Sequence, residues 1–243
     1  MRALNYILML ALVLSGGGLF GAWQAGAWSV LAERMSPDLI VGASVGSLNG
    51  YLIASGITPE ELRERWLEPK FAKLGDLKDN LRLMTSHYSP RTSYGLTVTD
   101  LFRLRPKTFR DGDITWRHLT ASCALPLVLA PVRIDGRWYV DGGLLNGLPV
   151  WAAVEMGATR IVALHVIPEF PSALLKPVVK AFRFACGYNP PLPAGVELDV
   201  IYPSSLLGSA RDALVWKRSN IERWLAQGEQ DANRAVTEKT FSF

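Results

Sequence analysis

Twice near its N-terminus this chain stops a short apolar run on glycine and resumes at once with a helical pattern, and this punctuation constrains the fold most. Ala11-Leu12-Val13-Leu14 is apolar at every position, which suits a strand buried on both faces inside a parallel sheet. Ser15, Gly16, Gly17 and Gly18 turn the chain, and a helical pattern follows to about residue 34. Pro37 and Asp38 interrupt it, and Leu39-Ile40-Val41 is a second buried run. Gly42 to Gly46 makes a second turn, leading into a helix over 45–54 that stops at Gly56.

Thr58-Pro59-Glu60-Glu61 starts another helix. Thr58 can accept from an exposed N–H, Pro59 suits the first turn and Glu61 completes a capping box. That helix ends near Pro69; from there to about 115 the pattern is polar and mixed, with short helices expected, one of them over 98–104. Val132-Arg133-Ile134 and Trp138-Tyr139-Val140 flank Asp135-Gly136, a hairpin signal. A helix over 150–156, a strand over 161–166, a helix over 176–185, a Pro-rich stretch at 190–193, a strand over 198–202 and an amphipathic helix over 220–236 complete the reading. Strand–helix alternation in 243 residues predicts an α/β fold in one domain spanning 1–243, with a mostly parallel central sheet flanked by helices.

Composition adds boundaries. A hydrophobic content of 49% fits a folded globular chain. The net charge of +4 fits attraction to an anionic membrane surface. No nucleic-acid-binding motif accompanies it, so no nucleic-acid partner is expected, and no protein partner can be read from the residues. Arg103, Arg105, Lys107 and Arg110, followed by Asp111 and Asp113, read as a solvated surface loop, with a lipid-headgroup contact as the alternative. Cys123 and Cys186 have no metal-ligand or disulfide spacing and read as buried thiols of a reducing compartment. The widely spaced histidines argue against a zinc site, and no metal is expected. The apolar run over 6–14 resembles a signal peptide but is too short to span a bilayer. The expected location is cytoplasmic, peripheral to a membrane, with secretion as the alternative.

Gly42-Ala43-Ser44-Val45-Gly46 lies between a strand and a helix, the context of a nucleophile elbow. So tight a turn lifts the serine hydroxyl clear of the sheet, and the helix N-terminus faces the charge that develops on attack. Gly16 to Gly21 also fits the dinucleotide-binding G-x-G-x-x-G pattern. That reading needs an acidic residue at the end of the second strand, whereas Asp38 precedes the strand and Gly42 and Ser44 end it. The better reading is a turn whose amides, above all those of Gly17 and Gly18, bind an oxyanion. Asp141-Gly142-Gly143 closes the hairpin and gains meaning only beside the other two motifs.

In that order these motifs resemble the patatin-like phospholipase family. Ala121-Ser122-Cys123-Ala124-Leu125-Pro126 resembles its A-S-x-A-x-P segment, and Gly157-Ala158-Thr159-Arg160-Ile161-Val162 the strand approach after the aspartate. The match is clearest over 10–166. It implies a three-layer sandwich and a dyad without histidine, in which Ser44 attacks and Asp141 is the base. It also implies an oxyanion hole at Gly16, Gly17 and Gly18, with Gly21, Gly42, Gly46, Gly142 and Gly143 as motif glycines. Nucleophile, base and donors are then all protein groups, so no cofactor is needed. The implied substrate is a lipid or fatty-acyl ester, such as a phospholipid, lysophospholipid or glyceride, met at a membrane surface. An acyltransferase or thioesterase with the same dyad, and a catalytically silent lipid-binding protein, are the alternatives. Phe20 stands where many family members carry Arg or Lys, so the glycine turn must be held by packing. A Ser-Asp-His triad ending at His165 is the competing mechanism, but that histidine lies in an apolar strand pattern. The residues over 59–115 and beyond 166 are expected to shape substrate access.

Overall fold

The first apolar run, Leu10–Leu14, is strand β1, with parallel neighbours on both sides. The computed structural model describes residues 8–71, 74–126, 128–166 and 190–238. In chain order its strands are β1, β2 (Leu39–Ala43), β3 (Ser93–Asp100), β4 (Arg105–Arg110), β5 (Val132–Ile134), β6 (Arg137–Asp141), β7 (Arg160–Leu164) and β8 (Glu197–Ile201). They form one 8-stranded sheet of order β5-β6-β3-β2-β1-β7-β8, with β4 also paired to β3. The helices are α1 (Gly21–Leu31), α2 (Val45–Ala54), α3 (Pro59–Leu67), α4 (Leu77–His87), α5 (Trp116–Ser122), α6 (Val150–Glu155) and α7 (Arg218–Glu238).

Alternate side chains of β1 enter different cores, as strand geometry requires. Leu12 and Leu14 join the cluster containing Trp23, Trp66 and Trp224. Ala11 and Val13 meet α6 through Trp151, Ala152 and Ala153 on the opposite face. Helices thus cover both faces of a mostly parallel sheet. Helix α7 lies against α1, where the Trp23 indole N–H donates to the buried Asp231 carboxylate at 2.9 Å. The capping box at Thr58 and Glu61 is formed. No helix among the described residues is long and apolar enough to cross a membrane.

The pairing of β3 matters most for function. Its residues Gly95 to Asp100 pair with β4 along one edge. The other edge is shared: β2 runs parallel to Ser93 through Thr97, and β6 runs antiparallel from Asp100 back to Val98. Ala43 pairs with Thr97 and Asp141 with Val98. The C-terminal ends of β2 and β6 therefore meet head-on along one edge of β3.

Two expectations are corrected here. The helix expected over 98–104 is the end of β3 plus a turn. Thr97, Val98 and Thr99 are buried in the sheet, where β-branched residues pack well, and tertiary pairing overrides the helix-like spacing. The basic cluster expected on a loop lies largely on β4, with Arg103 in the β3–β4 turn. The expected helix over 176–185, Cys186 and the run before residue 8 lie outside the described residues.

Candidate active site

Ser44 is the single residue between β2 and α2, and its backbone takes φ 53 and ψ −127. Side chains other than glycine avoid that region at a cost of about 1–3 kcal/mol, and persist there only where the surroundings dictate it. The surroundings do so by proximity. A Cβ on Gly42 would lie 2.2 Å from the Gly46 carbonyl oxygen, and one on Gly46 would lie 2.3 Å from that of Leu14. The turn can close this tightly only with glycine at both places. Ser44 sits at the N-cap of α2, where the helix end favours negative charge.

The end of α5 ties this turn to the neighbouring strand. The buried Ser122 hydroxyl accepts from the Ser44 N–H at 3.0 Å and donates to the Thr97 carbonyl at 2.8 Å. The Ser122 carbonyl accepts from Gly142 N–H at 3.2 Å, and that of Ala124 from Asp141 N–H at 3.0 Å. One short segment thus holds the backbones of both Ser44 and Asp141. Asp141 is 5% exposed. Its carboxylate accepts from the Gly143 N–H at 2.7 Å, and its carbonyl from the Thr99 hydroxyl at 2.9 Å.

The glycine turn after β1 completes the cluster. A Cβ on Gly16 would lie 3.2 Å from the Ser44 Cβ and 3.8 Å from the Gly143 Cα. All three sequence motifs therefore converge. The turn's amides differ in availability. Gly16 N–H donates to the Gly147 carbonyl at 2.9 Å, and Leu19 N–H to that of Ala213 at 2.8 Å. Among the described residues, the Gly17 and Gly18 N–H groups between them have no acceptor. Gly21 packs beneath the turn against Val45 and Trp66.

Cys123, whose sequence context marks it only as a buried thiol, lies at this site. Its sulfur lies close enough to Ser44, Ser47 and Asp141 for each of them to act on its ionisation. Burial first, and the Asp141 charge second, push its thiol well above the usual cysteine range, which leaves it protonated and unreactive. His165 follows β7, with β1 between it and β2, and its ring packs on Tyr202 with centroids 5.6 Å apart. His118 packs on Phe109 with centroids 4.4 Å apart, and its Nδ1 accepts from the Thr115 N–H.

The patatin-like phospholipase family model matches residues 12–103 and 93–154, a span that includes the glycine turn, Ser44, the end of α5 and Asp141. The chain belongs to this family. The rat patatin-like phospholipase domain-containing protein 7 (Rattus norvegicus) is 31% identical over 182 residues, which is 65% of this chain and 13% of that protein. Lysophospholipase nte1 of Aspergillus oryzae is 28% identical over 178 residues, 64% of this chain and 12% of the relative. The chain therefore spans only a small part of the length of these relatives. Among solved structures, VipD from Legionella pneumophila superposes with a TM-score of 0.58 at 13% identity, covering 95% of this chain and 67% of that one. That likeness is one of fold.

Within the patatin-like fold, Phe20 shows how the glycine turn is held. Its ring meets Trp224 of α7 edge-on, centroids 5.0 Å apart, and the Trp224 indole N–H donates to the Leu207 carbonyl at 2.7 Å. The turn is thus packed against the C-terminal helix. This support lies beyond the residues that the family model matches, which is why sequence motifs alone did not reveal it.

Proposed function

We propose that the chain is a lipid acyl hydrolase in which Ser44 is the nucleophile and Asp141 its base. The observation that carries this reading is the meeting of two strand ends along β3, which brings the strained Ser44 turn and the Asp141 turn together beside the glycine amides. As the Ser44 oxygen bonds to the ester carbonyl carbon, its proton passes to the Asp141 carboxylate. The negative oxygen of the tetrahedral adduct is held by the Gly17 and Gly18 N–H groups, with Gly16 fixing the turn through its bond to Gly147. Collapse breaks the carbon–oxygen bond to the leaving alcohol or lysolipid, which takes the proton from Asp141. Water then attacks the acyl-enzyme, giving its proton to Asp141, and Ser44 leaves and is reprotonated. A carboxylate can serve as the base because proton transfer accompanies attack.

The relatives' names support a phospholipid or lysophospholipid as the ester. The test is labelling with a fluorophosphonate followed by mass spectrometry. Modification of Ser44 in wild type, absent in Ser44→Ala, is expected. A folded wild type that stays unlabelled would refute the enzyme reading in favour of a silent lipid binder. A nitrophenyl-ester series should then favour long acyl chains over acetate; no such preference would refute the lipid assignment.

A further inference from the structure

Beyond the catalytic residues, β3 runs past the end of β2 and turns into β4 through residues 101–104. The turn is well defined: the Asp100 carboxylate accepts from Phe102 and Arg103 N–H at 3.2 and 3.0 Å, and Leu104 N–H donates to the Asp100 carbonyl at 2.9 Å. This construction holds Phe102 out at the apex, where it is 77% exposed. The start of β6 lies alongside, since Leu101 N–H donates to the Trp138 carbonyl at 2.9 Å. Trp138 is 39% and Leu104 37% exposed. Their neighbours in the chain Arg103, Arg105 and Arg137 are all exposed. Arg133, also exposed, is the cross-strand neighbour of Trp138. Among the described residues, none of these guanidinium groups has an ion-pair partner, and the exposed carboxylate at this end is Asp135 in the β5–β6 turn.

We infer that this hairpin tip, with Trp138 beside it, is the surface by which the chain seats on an anionic lipid bilayer. The identification of the occupant rests on charge complementarity. Tryptophan and phenylalanine flanked by arginine match the layered chemistry of a bilayer interface, with apolar rings at the acyl boundary and cations among the phosphates. A purely apolar partner would leave the arginines desolvated, and a purely polyanionic one would leave Phe102 without a contact. The position fits as well. The tip projects from the end of the sheet that carries Ser44, and β6 descends from Trp138 to Asp141 in three residues, about 10 Å at 3.3 Å per residue. Seating the tip would bring the site within reach of a lipid drawn up by its acyl chain. The inference deepens the proposed lipid hydrolase by naming where its substrate's bilayer is met.

The test is co-sedimentation of Ser44→Ala protein, which consumes no lipid, with vesicles of phosphatidylglycerol and phosphatidylcholine or of phosphatidylcholine alone. Binding to the anionic vesicles and not the zwitterionic ones is expected. In that background Arg103→Ala with Arg137→Ala should weaken partitioning roughly 30-fold at low salt, since each arginine near such a surface contributes about fivefold. Phe102→Asp with Trp138→Ser should weaken it at least tenfold. The same substitutions made with Ser44 intact should leave hydrolysis of a soluble short-chain nitrophenyl ester within about twofold of wild type, which also reports correct folding. Failure of the parent to sediment with anionic vesicles, equal binding to both vesicle types, or undiminished binding by the variants would overturn the inference. Selective vesicle binding by a wild type that cleaves no ester would support the surface while refuting the hydrolase.

Discussion

Removing one oxygen atom, in Ser122→Ala, should test whether the end of α5 holds Ser44 in its strained turn. The hydroxyl is fully buried, accepts from the Ser44 N–H at 3.0 Å and donates to the Thr97 carbonyl at 2.8 Å. Alanine fits the same space but leaves a donor and an acceptor without that partner. Each buried orphan costs about 1–3 kcal/mol. Partial relaxation of the backbone makes roughly 2–4 kcal/mol reasonable for the pair, a fall in Tm of about 5–15 °C for a chain of this length. Relaxation would also release Ser44 from its unfavourable φ, so kcat on a short ester should drop about 10–100-fold with KM little changed. Ser47→Ala is the comparison. Its hydroxyl donates to the Ser44 carbonyl at 2.6 Å, but the Ser47 N–H still donates there at 2.8 Å, so the loss should be smaller on both readouts. Thermal unfolding and steady-state kinetics on purified variants decide the matter. A Ser122→Ala protein with unchanged Tm and unchanged kcat would show that the turn holds itself, and the argument from α5 would fail.

Asp141→Asn should lower kcat by roughly 10²–10⁴-fold, the range for loss of a general base, while His165→Ala stays within a few-fold of wild type; equal losses in two folded variants would point to a histidine-dependent mechanism. Phe20→Ala should cost about 3–5 kcal/mol in urea unfolding through the cavity left against Trp224, and it should lower kcat as the glycine turn loosens; stability loss with full activity would contradict the packing role. Burial holds the His118 ring below its ordinary pKa, and its Nδ1 accepts from Thr115 N–H at 3.1 Å. The unfolded chain therefore binds that proton more readily, and the stabilisation is complete above about pH 6.5 and lost as pH falls through that value toward the folded pKa. Denaturation midpoints across pH 5–8 should show this acid-side decline, and His118→Gln, which can keep the capping geometry, should flatten it.

The parallel half of the molecule was legible because its strands announce themselves chemically. Leu10–Leu14 and Leu39–Ala43 are buried along nearly their whole length, and each ends at a turn where glycine is sterically required. β3 was not legible. It is buried over almost all its length yet spells Ser93-Tyr94-Gly95-Leu96-Thr97-Val98-Thr99-Asp100, because some of its polar side chains serve neighbours: the Thr99 hydroxyl donates to the Asp141 carbonyl and the Asp100 carboxylate builds the hairpin turn. A strand whose side chains answer to tertiary partners loses the periodicity by which strands are read. The same applies to Ser122 and Cys123. Their motif was visible, but their roles depend on where α5 ends relative to two turns distant in sequence. The polar stretch before β3 hid α4 for a different reason, since it buries only Leu77, Leu81 and Met84 and so offers a narrow apolar stripe.

The head-on junction of β2 and β6 makes the spacing of the proposed nucleophile and base a matter of whole steps. Sliding β6 along β3 by one position would carry the carboxylate about 3.3 Å and, because side chains alternate, turn it to the far side of the sheet. No intermediate setting exists on such a ruler. Reach between the two groups on this scaffold can be adjusted by exchanging a side chain, as from aspartate to glutamate, but not by stretching the backbone. Lengthening the connection over 101–136 would leave that spacing untouched so long as Asp141 still falls opposite Val98.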